Sequence, residues 1–174
     1  MAPVSIVTIS SFLLSILDGL QLPYSIPAAR AYITPPDPLV QAKIPAIYIW
    51  PSDGMENRGS ELGGTIPRNT GPGTPSGTKG LQHNFDIYVT WFSVLSGKQA
   101  DPRFPGIVDT VMEALRTSMP NPAEFTDPAT LQTSAIYNVG EVMRYRIGVE
   151  ATADERQLRY DALIDCPIWE QIRA

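Results

Sequence analysis

A chain of 174 residues makes one medium-sized domain, long enough to bury a core without covalent staples and too short for a second full domain. Its 43 % apolar and 18 % charged residues are ordinary globular usage, which excludes a wholly disordered chain, while 17 prolines and 13 glycines call for many turns and long connections. Thirteen basic and 18 acidic residues leave a net charge of −5, the wrong sign for a specific nucleic-acid binder, which needs a basic footprint against phosphate.

In chain order, the first signal is helical. Ile6, Ile9, Phe12, Leu13, Ile16, Leu17 and Leu20 recur at three- and four-residue steps with polar residues between them, predicting an amphipathic helix that is firmest over 10–20. Its first turn is ambiguous, because Val4 to Ile9 also alternates like a strand. The first 20 residues hold no Lys or Arg to form the charged region of a signal peptide. Phe12–Leu14, the longest purely apolar stretch there, is far short of the roughly 20 residues that cross a bilayer, so a soluble protein without membrane partners is expected. Pro23 and Pro27 then force an extended connection.

Residues 29–33 (ARAYI) and 44–50 (IPAIYIW) read as two strands flanking the turn-rich TPPDPL that starts at Thr34. From Pro51 to Gly80 large apolar residues almost vanish, so this segment is expected to be a long extended or flexible Gly/Pro-rich loop with little share in any core. The clearest strand follows over 82–92, with Phe85, Ile87, Val89 and Trp91 on one face and Asp86, Tyr88, Thr90 and Phe92 on the other. Phe104, Ile107, Val108, Val111, Met112 and Leu115 return to helical spacing and predict a second helix over 104–119 after Asp101-Pro102. Strands over 135–139, 142–151 and 156–166 close the chain, with Tyr145, Ile147 and Val149 sharing one face and a turn at Asp154-Glu155. The pattern is a single α+β domain over 1–174: a mainly antiparallel sheet, two principal helices packed against it, and the loop over 51–80.

Sites of chemistry are sparse. One cysteine and one histidine exclude an internal disulfide and a cysteine- or histidine-rich metal site. The run Gly73 to Gly80 fails as a phosphate loop, since Lys79 follows a threonine, no hydroxyl residue follows it, and a strand begins where a helix is required. His83 and Asp86, three apart in a strand, fall on opposite faces and do not pair as a catalytic couple. Asp53, Glu56 and Glu61 lack the ligand spacing of a calcium loop, and Cys166 has no histidine nearby and reads as a half-buried structural thiol. No catalytic residue, cofactor or metal is expected. Trp50, Trp91, Tyr88 and Phe92 carry two readings, packing against the second helix or an interface on the sheet's other face, with the first preferred.

The succession of elements is what carries a family likeness. An amphipathic N-terminal helix precedes a short strand, the turn Pro35-Pro36-Asp37-Pro38-Leu39, the strand Pro45 to Trp50, the long loop, the strand His83 to Phe92, a helix after Asp101-Pro102, and the strands Tyr145 to Ala151 and Arg159 to Cys166. In this order the chain resembles the tail terminator proteins of long-tailed bacteriophages, small α+β subunits that form a hexameric ring closing the end of the tail tube. The resemblance implies a structural virion protein of the tail and neck, assembled in the host cytoplasm, that joins the tail to the head–neck connector and is not an enzyme. Its partners would be further copies of itself, the tail tube protein and a head-completion or neck protein, with DNA passing through the ring lumen. Loop 51–80 would reach a neighbouring subunit or stacked ring, and Arg58, Arg68, Lys79, Tyr88 and Phe92 are the candidate inter-subunit contacts. A head-closure or tail-completion protein, or a non-catalytic monomeric adaptor, is the alternative reading. A small ligand-binding domain or enzyme is the rival of another class, and it would need a pocket with convergent polar groups.

Overall fold

The computed structural model describes residues 6–33, 45–58, 79–93, 101–118, 123–126, 133–138, 143–151 and 158–172. Helix α1 spans Ile6–Leu17 and buries Ile9, Leu13 and Leu17 on one stripe. Gly19 stops it: at φ +78° this residue takes the left-handed conformation that closes helices, and its N–H donates to Ala29 O at 3.0 Å. The connection then folds back on the helix end, where Asp18 Oδ1 accepts from Ala31 N at 3.2 Å and Ala29 N donates to Leu20 O at 2.9 Å.

Helix α2, Arg103–Ser118, begins at a cap that is legible in the sequence. Asp101 Oδ1 accepts from Arg103 N at 3.0 Å, Pro102 directly precedes the first helical residue, and Phe104, Ile107, Val108, Val111, Met112 and Leu115 form the buried face. The Asp101 side chain is wholly buried and grips the Arg103 guanidinium through Nε at 3.0 and 3.2 Å and Nη2 at 2.7 Å, which raises the arginine pKa further. The same guanidinium lies 5.2 Å from the Trp91 ring centroid. Asp101 N donates to Tyr160 Oη, so one residue ties the helix start to the sheet.

Among the described residues the sheet has seven strands: β1 (Arg30–Tyr32), β2 (Ala46–Arg58), β3 (Lys79–Ser93), β4 (Ala123–Thr126), β5 (Thr133–Asn138), β6 (Arg144–Ala151) and β7 (Leu158–Ile172). β1 runs parallel to β2, while β2–β3, β3–β7, β7–β5, β7–β6 and β5–β4 are antiparallel. β5 and β6 share one edge of β7, pairing with residues 168–171 and 158–165 respectively, and together act as one interrupted strand. The interruption falls opposite Cys166 and Pro167, the latter without an N–H to give to a ladder. Ile47, Ile49, Phe85, Ile87, Val89, Tyr160, Ala162 and Ile164 face the helices, and Trp91, Phe104 and Tyr160 form an aromatic cluster with centroids 5.2–6.3 Å apart.

The α+β class and both helices match the sequence reading, and several boundaries move. β2 continues eight residues past Trp50, and β3 begins at Lys79, so 51–58 and 79–80 of the expected loop are paired strand; residues 59–78 lie outside the described residues. Pro51 is accommodated because the register slips between Pro51 and Asp53, a bulge at which Ser52 Oγ donates to Asn84 O at 3.1 Å. β7 likewise runs on through Pro167 to Ile172 beyond the expected end at Cys166, the expected strand 135–139 lies at 133–138, and β4 was not foreseen.

Candidate functional site

Both helices pack on one face of the sheet, so the alternate residues of each strand look out on the other. The antiparallel register brings Tyr48 beside Tyr88, Trp50 beside Asp86 and Thr90 beside Asp161 on this other face, helix-free among the described residues. Here Tyr48, Trp50, Tyr88, Thr90, Arg159 and Asp161 line a cavity of about 570 Å³. Trp50 and Tyr88 are 49 % and 41 % exposed, a large aromatic area for a surface position.

The polar groups divide into satisfied and unsatisfied. Asp161 is occupied, accepting from Thr90 Oγ1 at 2.7 Å and pairing with Arg159 Nε at 2.8 Å. Tyr48 is only 6 % exposed and its ring stacks on Tyr32 at 5.8 Å, yet its hydroxyl is buried with no hydrogen-bond partner among the described residues. Burial, followed by the neighbouring Tyr32, raises the Tyr48 pKa above that of an ordinary tyrosine, so the phenol stays protonated. The site therefore presents the flat rings of Trp50 and Tyr88, while the Tyr48 hydroxyl lies beneath the surface.

A second surface lies on β6. Its residues 144–150 are exposed throughout, and Tyr145, Ile147 and Val149 form a stripe between 40 and 52 % exposed. The register sets them beside Ile164, Ala162 and Tyr160, so the stripe continues the helix-side face past the buried part of the core. Arg144 and Arg146 alternate with them on the helix-free side.

The five sequence-derived contact residues do not form one site. Tyr88 lies in the cavity wall, and Phe92, half-buried, shares its face four residues on. The preferred reading of these two as packing against the second helix is corrected: α2 lies on the opposite face, where Trp91 rather than Tyr88 or Phe92 meets Phe104. Arg58 and Lys79 are register partners at the far end of the β2–β3 hairpin, about 30 Å from Tyr88 along β3, and their side chains lie outside what is described. Arg68 also lies outside the described residues. Tyr48, Arg159 and Asp161 were missed; the signal was the alternation Ala46, Tyr48, Trp50, which places a second aromatic face beside that of Tyr88.

Elsewhere the structure places His83 in the helix-side face opposite Ile168 and Asp86 on the other side, so the two are apart. Cys166 is fully buried rather than half-buried, and burial pushes its thiol up to about 12. Among the described residues no three His, Cys, Asp or Glu side chains come together as a metal site, and no helix is long and apolar enough to cross a membrane. Neither a protein-family model nor a curated protein sequence matches the chain.

Proposed function

We propose that this chain is a structural subunit of a phage tail, assembling into a ring that caps the tail tube and joins it to the head–neck connector. The observation that carries this reading is the one-sided sheet. Its helix-free face displays Trp50 and Tyr88, and its β6 edge displays Tyr145, Ile147 and Val149, surfaces that a monomer gains nothing by exposing and a self-assembling subunit buries. The element order supports it too, with an N-terminal helix, a long β2–β3 hairpin, a second helix and a closing run of strands. A ring subunit acts through binding surfaces and needs no reacting group. An acidic net charge suits a lumen through which DNA moves without adhering.

The test is the mass of the purified protein by light scattering across concentration, alone and with phage tail tubes. A ring of about six subunits, in solution or on tubes, is the expected result. A monomer at every concentration that also ignores tubes overturns the reading and favours the adaptor, whereas saturable stabilisation by a small molecule favours a ligand-binding domain.

A further inference from the structure

Among the described residues β6 pairs with β7 alone, and its residues 144–150 are exposed throughout. Which of its peptide groups face outward follows from one hydrogen bond. Arg30 N donates to Pro45 O at 3.0 Å, so the peptide groups of Ile47 turn to β1 and those of Tyr48 to β3. Alternation carried through the registers of β3 and β7 sets Arg146, Gly148 and Glu150 in hydrogen-bonded pairs with β7. The same alternation turns the N–H and C=O of Tyr145, Ile147 and Val149 to the open edge. We infer that two copies of this chain join antiparallel along β6 with Gly148 on the two-fold axis. Arg146 of each copy then lies opposite Glu150 of the other, and Ile147 opposite Val149.

Three observations select a second copy as the partner of this edge. The strand is self-complementary in charge: Arg146 and Glu150 stand two residues to either side of Gly148 on one face, so reversing the strand sets each against its opposite, twice. Neither side chain makes an ion pair or hydrogen bond among the described residues, and Arg159, the register partner of Glu150, is turned to Asp161 at 2.8 Å. The apolar stripe coincides with the open backbone, since Tyr145, Ile147 and Val149, 40–52 % exposed, are the same residues whose peptide groups point outward. One contact therefore satisfies those groups and shields the stripe. Finally, Gly148 sits inside a strand, where glycine is unfavourable, yet a Cβ there would meet nothing nearer than Asp161 O at 4.0 Å. Nothing described within the subunit calls for that glycine, and a two-fold axis, where two backbones meet, does. Residues on one face must pair with each other, so the axis falls on a residue. On Ile147 it would leave Arg146 opposite Gly148, and on Arg146 it would oppose two arginines, whereas Gly148 is the midpoint of the outward-facing residues 145–151. The contact is isologous and closes on itself, so it goes beyond the ring reading: a ring needs a separate heterologous surface, and the β6 pair joins one ring to another.

The experiment uses full-length protein and sedimentation velocity over a concentration series, in which the contact reads as a doubling of mass. The wild type pairs. Arg146→Glu and Glu150→Arg, each alone, bring like charges together on both sides of the axis and should pair about tenfold more weakly. A one-to-one mixture of the two regains wild-type affinity, and so does the double variant Arg146→Glu/Glu150→Arg, because both return opposite charges across the axis. Val149→Pro removes an outward N–H that β7 does not use, so it should keep the wild-type melting temperature and abolish pairing. A wild type whose mass never doubles, single variants that pair as the wild type does, or a mixture no tighter than its components overturns the contact. A ring of six whose mass no variant changes also overturns it and leaves the ring standing. Pairs that obey the charge exchange without rings uphold the contact, and the tube experiment then decides the ring separately.

Discussion

Replacing Tyr48 with phenylalanine should stabilise the isolated subunit. The substitution removes one oxygen and keeps the ring that stacks on Tyr32. A buried hydroxyl without a partner costs roughly 1–3 kcal/mol, and because this one borders a cavity the lower half of that range applies, so Tyr48→Phe should stabilise the isolated subunit by about 1–2 kcal/mol. For a domain of this size each kcal/mol shifts the melting temperature by about 2–4 °C, giving a rise of about 2–8 °C by circular dichroism on dilute protein. Alkaline pH adds a second readout. The folded state holds the Tyr48 proton more tightly than the unfolded chain, so its contribution to stability is complete below about pH 10, where the unfolded tyrosine ionises, and is lost as pH rises through the folded value. The phenylalanine variant lacks that component of the alkaline decline. A melting temperature that falls on substitution would refute the reasoning, since it would mean that the hydroxyl has a partner worth more than its burial costs.

Other expectations follow from separate parts of the molecule. Asp101→Ala removes the α2 cap and should cost at least about 1 kcal/mol, seen as a melting temperature lower by 2–4 °C or more, whereas Asp101→Asn keeps a capping oxygen and should cost less; equal losses would mean that the cap contributes little. Leu13→Ala opens the α1 face of the core and should cost about 2–5 kcal/mol in urea unfolding, with the midpoint falling and the slope unchanged. Cys166, held protonated to about pH 12, should resist thiol reagents in the native state; its contribution is present below about pH 9 and fades as pH rises towards 12, by about 4 kcal/mol in all, a decline that Cys166→Ala should flatten. Replacing residues 59–78 with Asn-Gly joins the paired Arg58 and Lys79 by a two-residue turn and should leave a folded subunit that fails to assemble on tails, and normal tails from that variant would sink the role given to the segment.

Much of the fold was legible because two periodicities were clean. The 3.6-residue stripe of α2 falls on buried residues throughout and that of α1 on buried Ile9, Leu13 and Leu17, with Phe12, Ile16 and Leu20 partly buried and Ile6 exposed, and the alternation of Phe85, Ile87, Val89 and Trp91 picked out the helix-side face of β3. The misjudged ends share a cause: both Pro51 and Pro167 suggest a strand terminus, yet one is taken up at a bulge and the other where the β5–β6 ladder breaks. Neither accommodation is a local property of the sequence. β4 escaped notice because four residues are too few for a periodicity to register.

The candidate site was less legible, for a reason intrinsic to sheets. Alternation tells which residues of a strand share a face but not which face the helices will take, and Tyr88 and Phe92 were apolar enough to be assigned to either. What decides the matter is competition for one layer of helices. Two helices must cover three long strands, and they settle on the face where Phe85, Ile87, Val89, Tyr160, Ala162 and Ile164 present an unbroken apolar surface. The opposite face mixes Tyr48, Trp50 and Tyr88 with Asp86, Asp161 and Arg159, and no helix among the described residues competes for it, so Trp50 and Tyr88 stay half-exposed there.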